Sequence, residues 1–512
     1  MAEILKAAKQ NDAFSGVLPP RLVDELYQQN PWWIGNGLPR LPAFRRWPFA
    51  KLLAHMSLER PLAPIMVLRG PRQIGKTTLQ YQLIEHLLSK GFDPKRILRI
   101  QFDDLQSLRA TGNDDPILQI VQWYERKILA GNLNTNAREG NQSLFFLDEV
   151  QNLPDLHVQL KALVDRTDVR ILVTGSTALR IERGRDSLAG RIQTLEVGPF
   201  RLDEIASVRN LGSLPPYENL NGLGSWSKKA FWNALDAYGK ANRPTRDVAF
   251  RAYSERGGYP LAQRTEFNWE DVARQLNETV VKRAIQHDLR VGVRGGRRGR
   301  LRNAQLLEEM FRMSARYCGQ AVKFVELAEQ AKVALQANLG TQQVRAYLEF
   351  LDDSLLIRLI QPLEMRLGKR RNPPKLCLSD HALRAAWLDE IVPLDPEMLD
   401  EDPSSADLAG HVAESCAGYF FASVGLRPTY LPARRGEPDV DFVLSAGDHR
   451  IPVEIKYQKR IDPLRDTAGL QHFMKTAVNR ASVGVLITRH DNVLELPNNI
   501  VAVPLKTLLL AR

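Results

Sequence analysis

The sequence is poor in cysteine. Its 512 residues hold three, Cys318, Cys377 and Cys416, set far apart. That spacing makes no zinc-ligand pattern and no disulfide framework, which excludes a small secreted scaffold and fits a reducing compartment. Long apolar runs are missing as well: none approaches the roughly 20 residues a membrane-crossing helix needs. The N-terminus, MAEILKAAKQNDA, lacks the apolar stretch of a signal peptide. No internal repeat is present. The expectation is a soluble cytoplasmic protein without membrane contact. Acidic residues fall short of basic ones, 59 against 70, leaving a net charge of +11 that suits a polyanionic partner. Apolar residues make up 44% and charged residues 25%, the balance of a folded chain rather than a disordered one.

The length exceeds one core, so two to four domains are expected. Residues 1–60, with "NPWW" and several prolines, read as a segment strapped onto the next domain. Over 61–200, short apolar runs (PIMVL, RILRIQF, SLFFLDE, RILVTGS, QTLEVGPF) alternate with helix-like stretches, the pattern of a mostly parallel sheet covered by helices. Residues 201–270 read as helical and 271–394 as helical with an arginine-rich loop. Residues 395–408, acidic and rich in proline and serine, read as a linker, and 409–512 return to a helix followed by strands. The fold class is therefore α/β.

"GPRQIGKTT" spans residues 70–78, follows an apolar strand and opens an amphipathic helix, the context a phosphate-binding loop requires. Gly70 and Gly75 let the backbone wrap phosphate oxygens, and in the loop body, Pro71, Arg72, Gln73 and Ile74, the last three turn their amides inward while Pro71, without an N–H, shapes the turn. Lys76 would contact the β- and γ-phosphates of ATP, Thr77 would give its hydroxyl to Mg²⁺, and Thr78 continues the site. In "LFFLDEV" a buried strand ends in two carboxylates. Asp148 would hold the Mg²⁺ shell and Glu149 would polarise an attacking water, which points to hydrolysis. Farther on, "VTGST" offers Thr174 or Ser176 beside the γ-phosphate; either is equally a plain strand-to-loop turn.

These motifs, with FLDEVQNLPD, TGSTALR, SLAGRI, GPFRLDE and RGGYP in the same order, resemble a group of bacterial and archaeal AAA+ ATPases usually labelled only "ATP-binding protein". The resemblance runs from about residue 30 to the end. It implies an AAA+ P-loop core over 61–200 and a helical lid over 201–270. A helical, winged-helix-like middle follows over 271–394, then the linker, then a restriction-endonuclease-like α/β module over 409–512. It further implies a homo-oligomer in which an arginine just before the fifth strand reaches the neighbour's γ-phosphate. Arg191 matches that position and equally suits an ion pair within the subunit; Arg180, Arg183 and Arg185 are nearby rivals.

The stretch 282–302, KRAIQHDLRVGVRGGRRGRLR, carries eight basic residues and one acidic, +7 of the chain's +11. Its glycines make an arm suited to phosphate backbones through Arg290, Arg294, Arg297, Arg298, Arg300 and Arg302, DNA being favoured over RNA; the alternative is a solvated loop. Gln342, Gln343 and Arg345 would open a recognition helix, or a protein-binding face of the same shape.

Two strands flank the turn "AGDH" at 446–449. A two-residue turn at Gly447 and Asp448 sets Ser445 opposite Arg450, Val443 opposite Pro452 and Asp441 opposite Glu454. Asp441 and Glu454 could then share one metal, with Lys456 on the same face to stabilise phosphoryl charge and Asp439 pairing with Lys456. This is the PD-(D/E)xK layout of metal-dependent phosphodiesterases. "GHVAES" adds Glu414 as a further ligand by the same resemblance, and Gln471 as a polar support. The function expected is an oligomeric ATPase coupling hydrolysis to a nucleic-acid task. Alternatives are an ATP-gated, Mg²⁺-dependent nuclease and an ATP-dependent switch that binds protein.

Overall fold

The computed structural model describes residues 18–57, 61–103, 105, 115–150, 153, 155–175, 188–218, 222–285, 303–336, 339–363, 372–433, 438–491, 494–497 and 499–512. They form two compact units. One is Met1–Gly70 with Gly75–Val197; the other is Gly198–Arg512 with Pro71–Ile74. No helix among the described residues is long and apolar enough to cross a membrane.

The first unit is built on five strands: β1 Ile65–Arg69, β2 Ile97–Gln101, β3 Ser143–Asp148, β4 Val169–Gly175 and β5 Ile192–Glu196. All pair in parallel in the order β2-β3-β4-β1-β5. Parallel strands need helical crossovers that cover both faces, so the inner strands are buried runs rather than alternating ones; every residue of β3 and β4 is buried.

β2 is an edge strand, and an unpaired edge invites association with another chain. Here the N-terminal segment covers it with side chains. Asn30 accepts from the Arg99 amide at 2.7 Å and donates to the Arg99 carbonyl at 2.8 Å. Gln29 does the same at Gln101, accepting at 2.7 Å and donating at 3.1 Å. The indoles of Trp32 and Trp33 both donate to the Ile97 carbonyl. The "NPWW" stretch thus acts as a sixth strand made of amide and indole groups.

The second unit holds the helices Leu202–Val208, Lys229–Ala241, Arg243–Arg256 and Trp269–Leu276, then Ala304–Arg316, Phe324–Leu335 and Thr341–Asp353. Strands β6 Ile357–Ile360 and β7 Lys375–Leu378 follow as an antiparallel pair. After the helices His381–Leu388, Pro396–Glu401 and Ala406–Ser423 comes a mixed sheet. It contains β8 Thr429–Leu431, β9 Val440–Ala446, β10 His449–Lys456, β11 Gly484–Thr488 and β12 Ile500–Pro504, in the order β12-β11-β10-β9-β8.

Two expectations about organisation are corrected. Helices over 201–270, expected as a lid of the ATPase core, group with the C-terminal sheet. Arg246, fully buried, donates to Asp491 at 2.7 and 3.0 Å and to Thr507 at 2.8 Å. An amphipathic face states that a helix packs, not on which sheet. Residues 395–408, expected as a linker, are largely helical. Asp395 caps Pro396–Glu401 by accepting from the Glu397 and Met398 amides, and Pro403 opens a short 3-10 turn. Aspartate followed by proline starts helices as readily as it marks linkers.

Candidate nucleotide site and C-terminal carboxylate cluster

β1 runs into the loop at residues 70–75, which opens the helix Lys76–Ser89. The chain turns through left-handed backbone at Gln73 (φ 61°) and Gly75 (φ 89°). The glycine at 75 is required by that angle, whereas Gln73 carries a side chain there at an energetic cost. Arg72 and Ile74 are buried and Thr78 lies in the first helical turn. Gly75 is the N-cap and has no side chain to cap the helix. The positive end of a helix opening directly from such a loop fits a phosphate group. Lys76 is buried and its ammonium donates to the Gly70 carbonyl at 2.9 Å, folded over the loop it would share with phosphate.

β3 brings Asp148 to the same C-terminal sheet edge. The Thr77 hydroxyl donates to Asp148 Oδ2 at 2.9 Å, joining the two halves of the site. This hydroxyl–carboxylate pair is the oxygen set Mg²⁺ takes. The Thr174 hydroxyl also donates to Asp148 and accepts from Gln80 at 3.3 Å, so it belongs to the support of Asp148 and its bonds are taken up there. Ser176 lies outside the described residues. Glu149, next along the chain, is half-buried and held at φ 53°. Such a backbone costs on the order of 1–3 kcal/mol in a residue with a side chain and persists at positions where function needs the resulting direction.

Sequence reasoning missed Arg99. It projects from β2, lies 3.0 Å from Asp148 Oδ2 and 2.7 Å from Gln101 Oε1, and stacks 4.3 Å over the Tyr81 ring. The available signal was a single charge in the apolar run ILRIQ, on a strand that must be buried on both faces.

Arg191 sits at the opposite, N-terminal edge of the sheet, where Ile192 pairs beside Ile65. β1 is five residues long, so at about 3.3 Å per residue this edge is roughly 16 Å from the chain's own phosphate loop. Its guanidinium forks onto Asp165 at 2.6 and 3.1 Å. This hydrogen bond holds the Asp165 carboxyl below its ordinary range. Arg180, Arg183 and Arg185 lie outside the described residues. So do Arg290, Arg294, Arg297, Arg298, Arg300 and Arg302. Gln342 and Arg345 are exposed at the start of Thr341–Asp353, Arg345 lying 5.4 Å over Phe324, while Gln343 turns back to accept from the Gly340 amide.

In the C-terminal unit β9 and β10 pair from His449↔Ala446 to Val453↔Phe442 across a two-residue turn with Gly447 at φ 63°. The next pair in that register is Asp441 opposite Glu454. Asp441 Oδ2 accepts from the Ile455 amide at 2.9 Å, and Lys456 contacts Glu454 Oε1 at 2.6 Å. Lys456 therefore pairs with its neighbour two along the strand, not with Asp439 as expected, because those two share one face. Glu454 Oε2 is buried without a hydrogen-bond partner. Glu414 comes from the helix Ala406–Ser423. Burial first, then the charge of Asp441, pushes the Glu414 and Glu454 carboxyls above the ordinary carboxylate range. Among the described residues no three His, Cys, Asp or Glu side chains are grouped to hold a metal ion. Gln471 bonds Thr467 within its own helical turn and does not reach the cluster. A second residue missed in the sequence is Lys375, at the start of β7. Its ammonium bonds Glu414 and the Asp441 carbonyl, the latter at 3.1 Å. Lys456 also lines a cavity of about 290 Å³, together with Asp400, Asp407, Gln458, Lys459 and Arg489.

Residues 63–206 match the family described as "AAA domain". Residues 247–391 and 412–508 match two families described as domains of unknown function, DUF8612 and DUF4143. An uncharacterized protein of Mycobacterium tuberculosis is 26% identical over 401 residues, 77% of this chain and 70% of its own length, and so is one of Mycobacterium bovis. An uncharacterized protein of Methanocaldococcus jannaschii is 26% identical over 239 residues, 46% of this chain and 45% of its own. Among solved structures, a Walker-type ATPase of Pyrococcus abyssi is similar at 14% identity and a TM-score of 0.37, over 69% of this chain and 99% of that one. The matched family, the five-stranded parallel sheet and the phosphate loop at its C-terminal edge together make residues 63–206 a P-loop domain of AAA type.

Proposed function

We propose that the chain is an oligomeric ATPase that hydrolyses Mg²⁺·ATP and couples turnover to a nucleic-acid task. The observation that carries the first part is the contact of Thr77 with Asp148 at 2.9 Å, directly behind the helix N-terminus that opens at Gly75. Lys76 exchanges the Gly70 carbonyl for phosphate oxygens and balances their charge. Thr77 and Asp148 would hold Mg²⁺, which when bound neutralises charge developing on the phosphates. Arg99 and Thr174 keep Asp148 oriented, and Glu149 accepts a proton from the attacking water. Lys76→Ala should lose nucleotide binding. Glu149→Gln should retain it and lose turnover; undiminished hydrolysis by that variant would remove Glu149 from the mechanism.

Homo-oligomerisation belongs to the same reading: from the far sheet edge Arg191 would reach a γ-phosphate only if that phosphate belonged to a neighbour. Three helices followed by the β6–β7 pair have the element order of a winged helix, and the basic stretch at 282–302 supports nucleic acid, DNA in particular, as the partner. Three buried thiols, none in a disulfide, suit a reducing cytoplasm.

A second reading concerns the C-terminal module, which we read as a PD-(D/E)xK-type phosphodiesterase fold. It rests on Asp441 opposite Glu454, with Lys456 alongside. The orphaned Oε2 of Glu454 is a lone pair awaiting a cation, and Asp441 supplies oxygen beside it, so these residues fit a divalent ion. In that role Asp441 and Glu454 would hold Mg²⁺, which would lend its charge to a scissile phosphate, and Lys456 would steady the same phosphate from the cavity side. Mg²⁺-dependent nicking of DNA that disappears in Asp441→Ala tests it.

A further inference from the structure

The carboxylates of the C-terminal cluster already have a cation, and it comes from the middle of the chain. Lys375 is 6% exposed. Its ammonium is bonded to Glu414, lies 3.5 Å from Asp441 Oδ1 and 3.1 Å from the Asp441 carbonyl, and is roofed by the Phe442 ring at 4.7 Å and the Tyr430 ring at 5.5 Å. Carboxylate, carbonyl and aromatic faces are what a buried ammonium needs once removed from water. They also make it costly for the lysine to share that space with a second cation, because two positive charges would meet at ion-pair distance.

β7, which carries Lys375, is clamped on the helix that carries Glu414. The Leu378 amide donates to Ser415 Oγ at 2.8 Å. A Cβ at Gly418 would lie 2.5 Å from Cys377 Sγ, so strand and helix meet without room for a side chain. Lys375 and the carboxylates are therefore held in register by backbone packing rather than by a loose surface pair.

We propose that Lys375 is a built-in plug: its ammonium occupies the place of a divalent cation at Asp441, and the C-terminal module takes up metal only when the β6–β7 pair withdraws it. The inference rests on the reading of Asp441 and Glu454 as a metal pair. It places control of that pair in the helices and strands of the middle region, so that whatever shifts β7 on the helix Ala406–Ser423 unmasks the carboxylates. Glu414 serves as the lysine's counter-ion in the closed state, and Asp441 and Glu454 are the pair that would take the ion.

Mn²⁺ binding to the full-length, nucleotide-free protein, read by the electron paramagnetic resonance of free Mn²⁺, tests this without any activity measurement. Lys375→Met should bind Mn²⁺ at least about tenfold more tightly than the unmodified protein, because a unit charge at ion-pair distance has been removed. Adding Asp441→Asn should abolish the gain. Lys375→Met leaves Glu414 without its counter-ion. If circular dichroism shows that variant unfolded, Lys375→Met with Glu414→Gln, which removes both charges and keeps Asp441 and Glu454, should show the same gain. Equal affinity of the unmodified protein and the folded variant, lost in Asp441→Asn, would overturn the plug and leave the metal pair standing. Absence of any Asp441-dependent Mn²⁺ binding in all proteins would overturn both.

Discussion

The Arg99 guanidinium lies 3.0 Å from the Asp148 carboxylate, and both side chains are 1% exposed. The edge strand β2 of the five-stranded sheet thus supplies a counter-charge to the residue expected to hold Mg²⁺. A carboxylate this deep, left alone, would have to stay uncharged or draw water inward. Arg99, Thr77 and Thr174 together hold the Asp148 carboxylate in one orientation.

Arg99→Met should therefore destabilise the first unit by about 3–5 kcal/mol, the cost of stranding a buried charge. Adding Asp148→Asn should recover much of that loss, since the stranded charge goes with it. Urea titration of the four proteins, unmodified, two single variants and the double, measures the coupling. Additive losses would mean that the two residues do not act as a pair.

The amide of Asn30 closes the edge of β2 through both backbone groups of Arg99 and also donates to the Leu26 carbonyl at 2.8 Å. Asn30→Ala should cost about 1–3 kcal/mol through buried backbone groups left unsatisfied. It should also raise the tendency to aggregate, because the strand edge is then open. Light scattering on mild heating, compared with Asn30→Gln, gives the readout; equal aggregation and stability of Asn30→Ala and the unmodified protein would dismiss the edge role.

Arg191 is paired to Asp165 and faces away from its own phosphate loop. Arg191→Ala and Lys76→Ala proteins should each be inactive, and mixing them should restore part of the ATPase activity, since some interfaces then combine an intact arginine with an intact loop. Mixtures that exchange subunits and stay inactive would confine Arg191 to its ion pair with Asp165.

Neutralising Arg294, Arg297, Arg298 and Arg300 should weaken binding to all DNA sequences alike. The slope of log affinity against log salt should shrink by about 0.7 to 0.9 for each phosphate that an arginine no longer neutralises. Filter binding across a salt series measures it, and an unchanged slope would leave the arm a solvated loop.

Local rules made much of the molecule legible. The apolar runs of β1, β3 and β4 became parallel strands because a strand buried on both faces has no polar alternative. The phosphate loop could be read from spacing because left-handed backbone at Gly75 and a helix start at Lys76 lie within a few residues of each other. The β9–β10 register followed from a two-residue turn and a period of two, which together leave one pairing.

Other features depended on residues brought together from far along the chain. Arg99 meets Asp148 across 49 positions, and Lys375 meets Asp441 across 66. A lone arginine in ILRIQ and a lone lysine before LCLSD each stated that a buried charge needed a partner, not which one. The helices around Arg246 showed an apolar face that either sheet could have received, and Asp395 with Pro396 fitted a linker as well as a helix start. Sequence alone determined the strands of the first unit and the place of the phosphate loop, because those depend on neighbours within a turn or a strand. Only the tertiary structure decided which charges met, because a buried ion pair is set by the packing of whole elements and leaves no spacing to read.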